Sequence, residues 1–172
     1  MYRSLKTLSI LTLVVLATPV AFAATKFADF NVTASVAANC TISAADLSFG
    51  AYDPVVTNAT TPLDVNGSVT VACTKGSSAT IGLGQGSAAA TGSTAVAPLR
   101  QMSAGTERLR YDLYRTSVGT GVWGDIGTAN VLAYTATSKA ATTLTIYGRV
   151  PAGQDVGVSA SYTDTVRATI NF

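Results

Sequence analysis

Apolar and polar residues alternate with period two over most of the chain beyond residue 24. Phe30, Val32, Ala34, Val36 and Ala38 interleave with Asn31, Thr33, Ser35 and Ala37. Val65, Gly67, Val69, Val71 and Cys73 repeat the pattern around Ser68 and Thr70, and Leu109, Tyr111 and Leu113 around Arg108, Arg110 and Asp112. Leu144 and Ile146, and at the C-terminus Val166, Ala168, Ile170 and Phe172, do the same. Successive side chains of a strand point to opposite faces, so each run predicts a half-buried strand with its apolar set turned to a core. Abundant Thr, Val and Tyr agree with that reading. Ala79 to Leu83 predicts one further strand. Turn clusters stand at Asn66-Gly67, Lys75 to Ser78, Ser87 to Gly92, Gly119 to Gly127 and Pro151 to Gly153. No 3.6-residue periodicity competes, so the pattern predicts an all-β domain built as a two-sheet sandwich.

The first 23 residues break this pattern. Arg3 and Lys6 precede an apolar run from Leu8 to Ala17, followed by Pro19 and the small-residue site Ala21-Phe22-Ala23. That order predicts a signal peptide over residues 1–23, cleaved between Ala23 and Ala24. The apolar run falls short of the about 20 residues that span a bilayer. Cleavage leaves 149 of the 172 residues, and the exported protein then meets an oxidising compartment. There Cys40 and Cys73 are expected to pair as a structural disulfide. Closing a loop of roughly 33 residues contributes about 3–4 kcal/mol in the chain-entropy account.

Charge and composition exclude more than they suggest. Losing Arg3 and Lys6 reduces 11 basic residues to 9, matching the 9 acidic ones, so the formal charge falls from +2 to zero. A neutral chain lacks the dense basic face of a nucleic-acid binder and presents no long-range repulsion between identical copies. No histidine is present, which removes the usual general base and the commonest metal ligand. No cofactor or metal is expected, and no enzyme activity. Gly119-Thr120-Gly121-Val122-Trp123-Gly124 fits a dinucleotide-binding pattern, but the next residues, Asp125-Ile126-Gly127-Thr128, are poor helix material, so a loop is expected. Three Asn-x-Ser/Thr triplets, at Asn31, Asn58 and Asn66, are read as chance matches. Arg108, Arg110 and Arg115 beside Tyr111 and Tyr114 are read as solvated positions of a strand. Asp164 is expected to pair with a nearby Arg and pin the last turn.

The two terminal runs are the unusual feature. The patterned C-terminal strand ends at Phe172 with nothing after it to cover its edge, and a patterned run, Phe27 to Val36, begins almost at the cleavage site. An uncovered apolar edge is an association template. A sandwich short of one strand and carrying a spare one suits strand exchange between copies. On pattern alone, an ordinary sandwich with both terminal strands paired inside the chain is the first reading.

A longer set of residues bears a family resemblance. It comprises Phe30 to Val36 leading to Asn39-Cys40, Phe49-Gly50-Ala51-Tyr52, Val69 to Gly76, Arg100-Gln101-Met102, Leu109 to Tyr114, Trp123-Gly124, Tyr147-Gly148-Arg149 and Tyr162 to Thr165. In that order and spacing the chain resembles the spore coat protein U-like domain family. Within it, the chain is similar to the pilin subunits of archaic chaperone–usher pili, above all the major subunit of the Csu type. The resemblance implies an incomplete immunoglobulin-like β-sandwich lacking its last strand, completed by a donor strand from a neighbouring subunit. It implies a leader at 1–23, a donor segment at 24–36 and a pilin domain at 37–172. Phe30, Val32, Ala34 and Val36 would be the donor side chains, and Val166, Ala168, Ile170 and Phe172 would line one edge of the acceptor groove. It further implies identical subunits, a periplasmic chaperone, an outer-membrane usher and minor and tip pilins as partners. Export through the periplasm would lead to a surface fibre serving attachment and biofilm formation. A secreted ligand-binding or tip-adhesin module, and a non-fibrous coat protein of the same domain, are the alternatives.

Overall fold

The fold is that of a computed structural model, in which Pro19 and residues 22–172 are described. The leader reading therefore falls largely outside the described residues; Ala23 and Ala24 are within them, and both are exposed. The chain divides into two units, one ending at Ser35 and the other spanning Val36–Phe172.

The second unit holds nine strands: β1 (Cys40–Ala44), β2 (Leu63–Cys73), β3 (Ser78–Leu83), β4 (Arg100–Ala104), β5 (Glu107–Ser117), β6 (Thr120–Val122), β7 (Leu132–Thr135), β8 (Thr142–Val150) and β9 (Ala168–Asn171). One sheet runs β1-β2-β8-β5-β4, with β6 added to β5; the other runs β7-β3-β9. All pairings are antiparallel. Neither sheet can bury its apolar face alone, so the two pack face to face around Val69, Val71, Ile81, Leu83, Leu109, Tyr111, Leu113, Trp123, Ile146 and Val150. This is the all-β sandwich that the alternation predicts.

Three departures have physical causes. Asn66-Gly67 lies inside β2 rather than at a turn, because its glycine serves packing: a Cβ on Gly67 would stand 2.7 Å from Leu47 Cδ1, which lies across the strand. The Gly119–Gly127 stretch is not simply a loop. It holds β6 and delivers Trp123 into the core at 0% exposure. There the Trp123 indole N–H donates to Ile81 O at 2.8 Å, giving a large apolar ring the polar partner that full burial requires. Finally, residues 22–39 carry no strand, although residues 30–38 alternate as well as β2 does. A period-two pattern specifies which face a strand would bury; only a ladder partner makes the strand.

Cys40 and Cys73 are disulfide-bonded, across a separation of 33 residues. They are also a ladder pair, the first of the β1–β2 register. The bond thus pins the outermost strand of the large sheet to its neighbour where the chain enters the fold. Thr74 N–H, donating to Asn39 O at 2.9 Å, extends that junction by one more residue.

Candidate functional site

Among the described residues β9 pairs with β3 alone, so one edge of the small sheet is open. The closed edge extends beyond β9 itself. Gly84 N–H donates to Arg167 O at 2.9 Å, Ser87 N–H to Thr165 O at 3.1 Å, and Ser103 and Thr163 exchange two bonds of 2.8 and 3.1 Å. Successive residues of a strand turn their amides to opposite sides. With residues 163, 165 and 167 engaged on one side, the amides of Val166, Ala168 and Ile170 face the free edge.

Beside that edge the core is not closed over. A cavity of about 370 Å³ is walled on one side by the residues after β1, Ala45 to Leu47, and on the other by Tyr162–Val166 and Ala168. Its floor is core: Val69, Leu83, Tyr111, Leu113 and Ile146. A second hollow shares Leu47, Phe49, Met102 and Tyr162 with the first and continues between the 47–54 and 156–162 loops. Protein interiors are packed nearly as densely as organic crystals, with few voids larger than a water molecule. Filling the cavity with three or four apolar side chains, at about 1.5–3 kcal/mol for each large one, yields about 5–10 kcal/mol.

The expected groove residues divide. Val166 and Ala168 line the cavity. Ile170 packs on the core cluster, while Phe172 is 53% exposed and lies outside both. The predicted C-terminal strand is correspondingly shorter, beginning at Ala168. In the other unit Phe27, Phe30 and Val32, and at the start of the second unit Val36, are 82–88% exposed, and Ala34 is exposed. Four large apolar side chains left in water on one segment of about ten residues form the most conspicuous apolar surface described.

Asp164 does not pair with an arginine. Its Oδ1 accepts from Ser87 N (2.7 Å), Ser87 Oγ (2.8 Å), Ala88 N (3.1 Å) and its neighbour Thr165 N (2.8 Å), and its Oδ2 accepts from the Tyr111 hydroxyl (2.7 Å). Arginine would have been the obvious choice from composition, but backbone and hydroxyl donors suffice to satisfy a carboxylate. Burial alone would raise the Asp164 pKa; the Tyr111 and Ser87 donors and the Ala88 and Thr165 amides outweigh it and hold the carboxyl below its ordinary 3.8. A depressed folded-state value stabilises the fold above pH 3.8, and that contribution is lost as pH falls through the lower value. Urea unfolding of the protein and of Asp164→Asn should therefore differ at pH 6, and the difference should shrink as pH falls below 3.8. A difference unchanged across that range would contradict the assignment.

Sequence reasoning placed Val69, Leu83, Tyr111, Leu113 and Ile146 in strands but did not find the cavity they floor or its polar wall. Leu47, Phe49 and Met102 stand outside the alternating runs, so pattern could not place them. Arg108 and Arg110 are exposed, as expected of outward positions. Arg115 instead turns back, donating to Val131 O at 2.8 Å.

Among known proteins, the profile of the Spore Coat Protein U domain matches residues 26–169. A curated relative, "Protein U" of Myxococcus xanthus, is 41% identical over 158 residues, 87% of each chain. Among solved structures, the chaperone–tip adhesion subunit pre-assembly complex, CsuC–CsuE, from archaic chaperone–usher Csu pili of Acinetobacter baumannii matches with a TM-score of 0.53 at 16% identity. That match covers 80% of this chain and 40% of the solved one, so the present chain spans well under half of its length. At that identity the likeness concerns the fold.

Proposed function

We propose that this chain, which belongs to the Spore Coat Protein U domain family, is the major structural subunit of an archaic chaperone–usher pilus. In this reading residues 1–23 are a leader and residues 37–172 form the pilin body. Residues 24–36 leave one subunit to fill the groove of the next. Phe30, Val32, Ala34 and Val36 enter the cavity beside β9, and the donor backbone bonds to the amides of Val166, Ala168 and Ile170. The observation that carries the reading is the open groove itself: an apolar floor of core residues beside an unpaired strand edge, in a chain that also holds an exposed apolar segment of matching period.

An unfilled groove of this kind needs cover before assembly, which is the part a periplasmic chaperone would play. The solved relative's own description as a chaperone–subunit pre-assembly complex supports that step. An outer-membrane usher would then exchange the chaperone's strand for the next subunit's segment, with minor and tip pilins at the fibre end. The mechanism is association by strand addition, with no chemical step. Main-chain bonds set the register, and buried side chains provide most of the free energy. Attachment and biofilm formation are then roles of the finished surface fibre. Electron microscopy of material sheared from cells expressing the chain tests the reading. Thin fibres labelled by an antibody to residues 37–172 are expected, and shed chain recovered only as separate globular particles would overturn it.

A further inference from the structure

Main-chain bonds from Gly84, Ser87 and Ser103 hold the groove's wall at residues 167, 165 and 163; a polar side-chain cluster adds to them, and nothing in the strand-exchange reading assigns that cluster a part. Residues 162–167 precede β9 and are not themselves a paired strand. Asp164 ties them to two other elements at once. Through Ser87 and Ala88 it reaches the loop after β3, and through Tyr111 it reaches β5 at the cavity floor. Tyr111 is 4% exposed and packs its ring on Phe49, centroids 5.8 Å apart, so its hydroxyl is a fixed donor. The loop after β3 is shaped for the same contact. Gly86 adopts a φ of +90°, and a Cβ there would run into the Asp164 carboxylate. Asp164 and Tyr111 both line the cavity, and the residues they hold carry the free amides of the acceptor edge.

The geometry points to Asp164 and Tyr111 as positioning residues for strand capture: they keep the 162–167 wall extended and the groove open before a donor arrives. Resting on the strand-exchange reading, this assigns them a part in the rate of filling, beyond Tyr111's place in the floor that the donor side chains meet. Without them the main-chain bonds at residues 163, 165 and 167 remain, but the wall loses its ties to the cavity floor and to the loop after β3, and a donor meets a looser edge. The part of the edge fixed by the cluster then has to be ordered during capture, at the usual conformational cost.

The test monitors capture of a fluorescent peptide of residues 25–38 by the mature chain, read by anisotropy well below the thermal midpoint of each variant. Tyr111→Phe removes one hydroxyl, Asp164→Ala the carboxylate, and Gly86→Ala pushes the carboxylate aside. As control, Asp64→Ala breaks a surface ion pair, Arg149 Nε to Asp64 Oδ1 at 2.7 Å, away from the groove. The expected result is capture slowed about tenfold or more in the three groove variants, the scale of losing one or two charge-assisted hydrogen bonds, and unchanged in the control. Capture at the wild-type rate in Tyr111→Phe and in whichever of the other two fold would overturn the proposal. So would equal slowing in Asp64→Ala, which would mean that rate merely tracks stability. Failure of the unaltered chain to bind the peptide would instead overturn the strand-exchange reading beneath it.

Discussion

Replacing Phe30 and Val32 together by aspartate is expected to abolish polymerisation while leaving the body of the subunit folded. The two side chains are 84% and 82% exposed and belong to a unit that ends at Ser35, so the core of Val36–Phe172 does not depend on them. Seated in a neighbour's groove, each contributes about 1.5–3 kcal/mol. Aspartate forfeits that and adds the cost of bringing a carboxylate against Leu83, Leu113 and Ile146, a penalty of several kcal/mol for a charge without a partner. A loss of roughly 6–10 kcal/mol is a factor of more than about 10⁴ in affinity. Cells expressing the double variant should show no sheared fibres, and the purified chain should sediment as a single small species. Its far-ultraviolet spectrum and its Cys40–Cys73 disulfide should be unchanged. Fibres of normal length from this variant would exclude residues 24–36 as the donor. A single change, Ala34→Val, is the informative companion: if the pocket beneath Ala34 is as small as its present occupant implies, overpacking weakens the joint by about 1–3 kcal/mol without abolishing it.

The strands most legible in the sequence are those with one face in the core over much of their length. β2 and β8 alternate buried and less buried residues through their second halves, while β5 alternates at its start and is buried on both faces from Tyr111 to Tyr114. β4 is short and lies at the sheet margin with four of its five residues half-buried, so no clean alternation marks it. β6 is three residues set among glycines, and its purpose is to position Trp123, a tertiary requirement with no local signature. The converse error is equally instructive. Residues 30–38 alternate as well as any strand but form none, because no ladder among the described residues takes them up. The groove was legible as an edge, through Val166 and Ala168, but not as a volume. Its floor comes from four separate strands and one wall from the segment after β1, and only folding brings Leu47, Leu83, Tyr111 and Ile146 together.

Arg100 is where sequence reading and structure diverge most, and its replacement should be the most damaging single change in the body. Its side chain is 0% exposed, yet it takes no carboxylate partner. Nε donates to Gly84 O at 2.9 Å, and Nη2 donates to Leu83 O at 2.8 Å and Trp123 O at 2.7 Å. These three carbonyls lie where β3 and β6 end and their ladders stop, so without the guanidinium they would be buried and unpaired. The planar fork reaches all three at once, which an ammonium cannot do. Burial lowers the Arg100 pKa to about 10, against opposing attraction from Tyr111, Asp112, Asp164 and Asp125. It therefore stays charged throughout the neutral range. A cation with a lowered folded-state value weighs on the fold at any pH below about 10, and that weight is relieved only as pH rises past it. Between pH 5 and 9 the effect of removing the side chain should accordingly be constant. Arg100→Met strands the carbonyls, at about 1–3 kcal/mol each, partly offset by no longer burying a charge, for a net loss of about 3–5 kcal/mol. Arg100→Lys should lose about half as much, keeping one or two of the bonds. Urea unfolding monitored through Trp123, the single tryptophan of the chain, measures both. A loss under about 1 kcal/mol for Arg100→Met would show that the carbonyls find other donors. The same variant bears on assembly, because Leu83 floors the groove and pairs with Ala168: loosening the end of β3 loosens the edge that a donor strand must find.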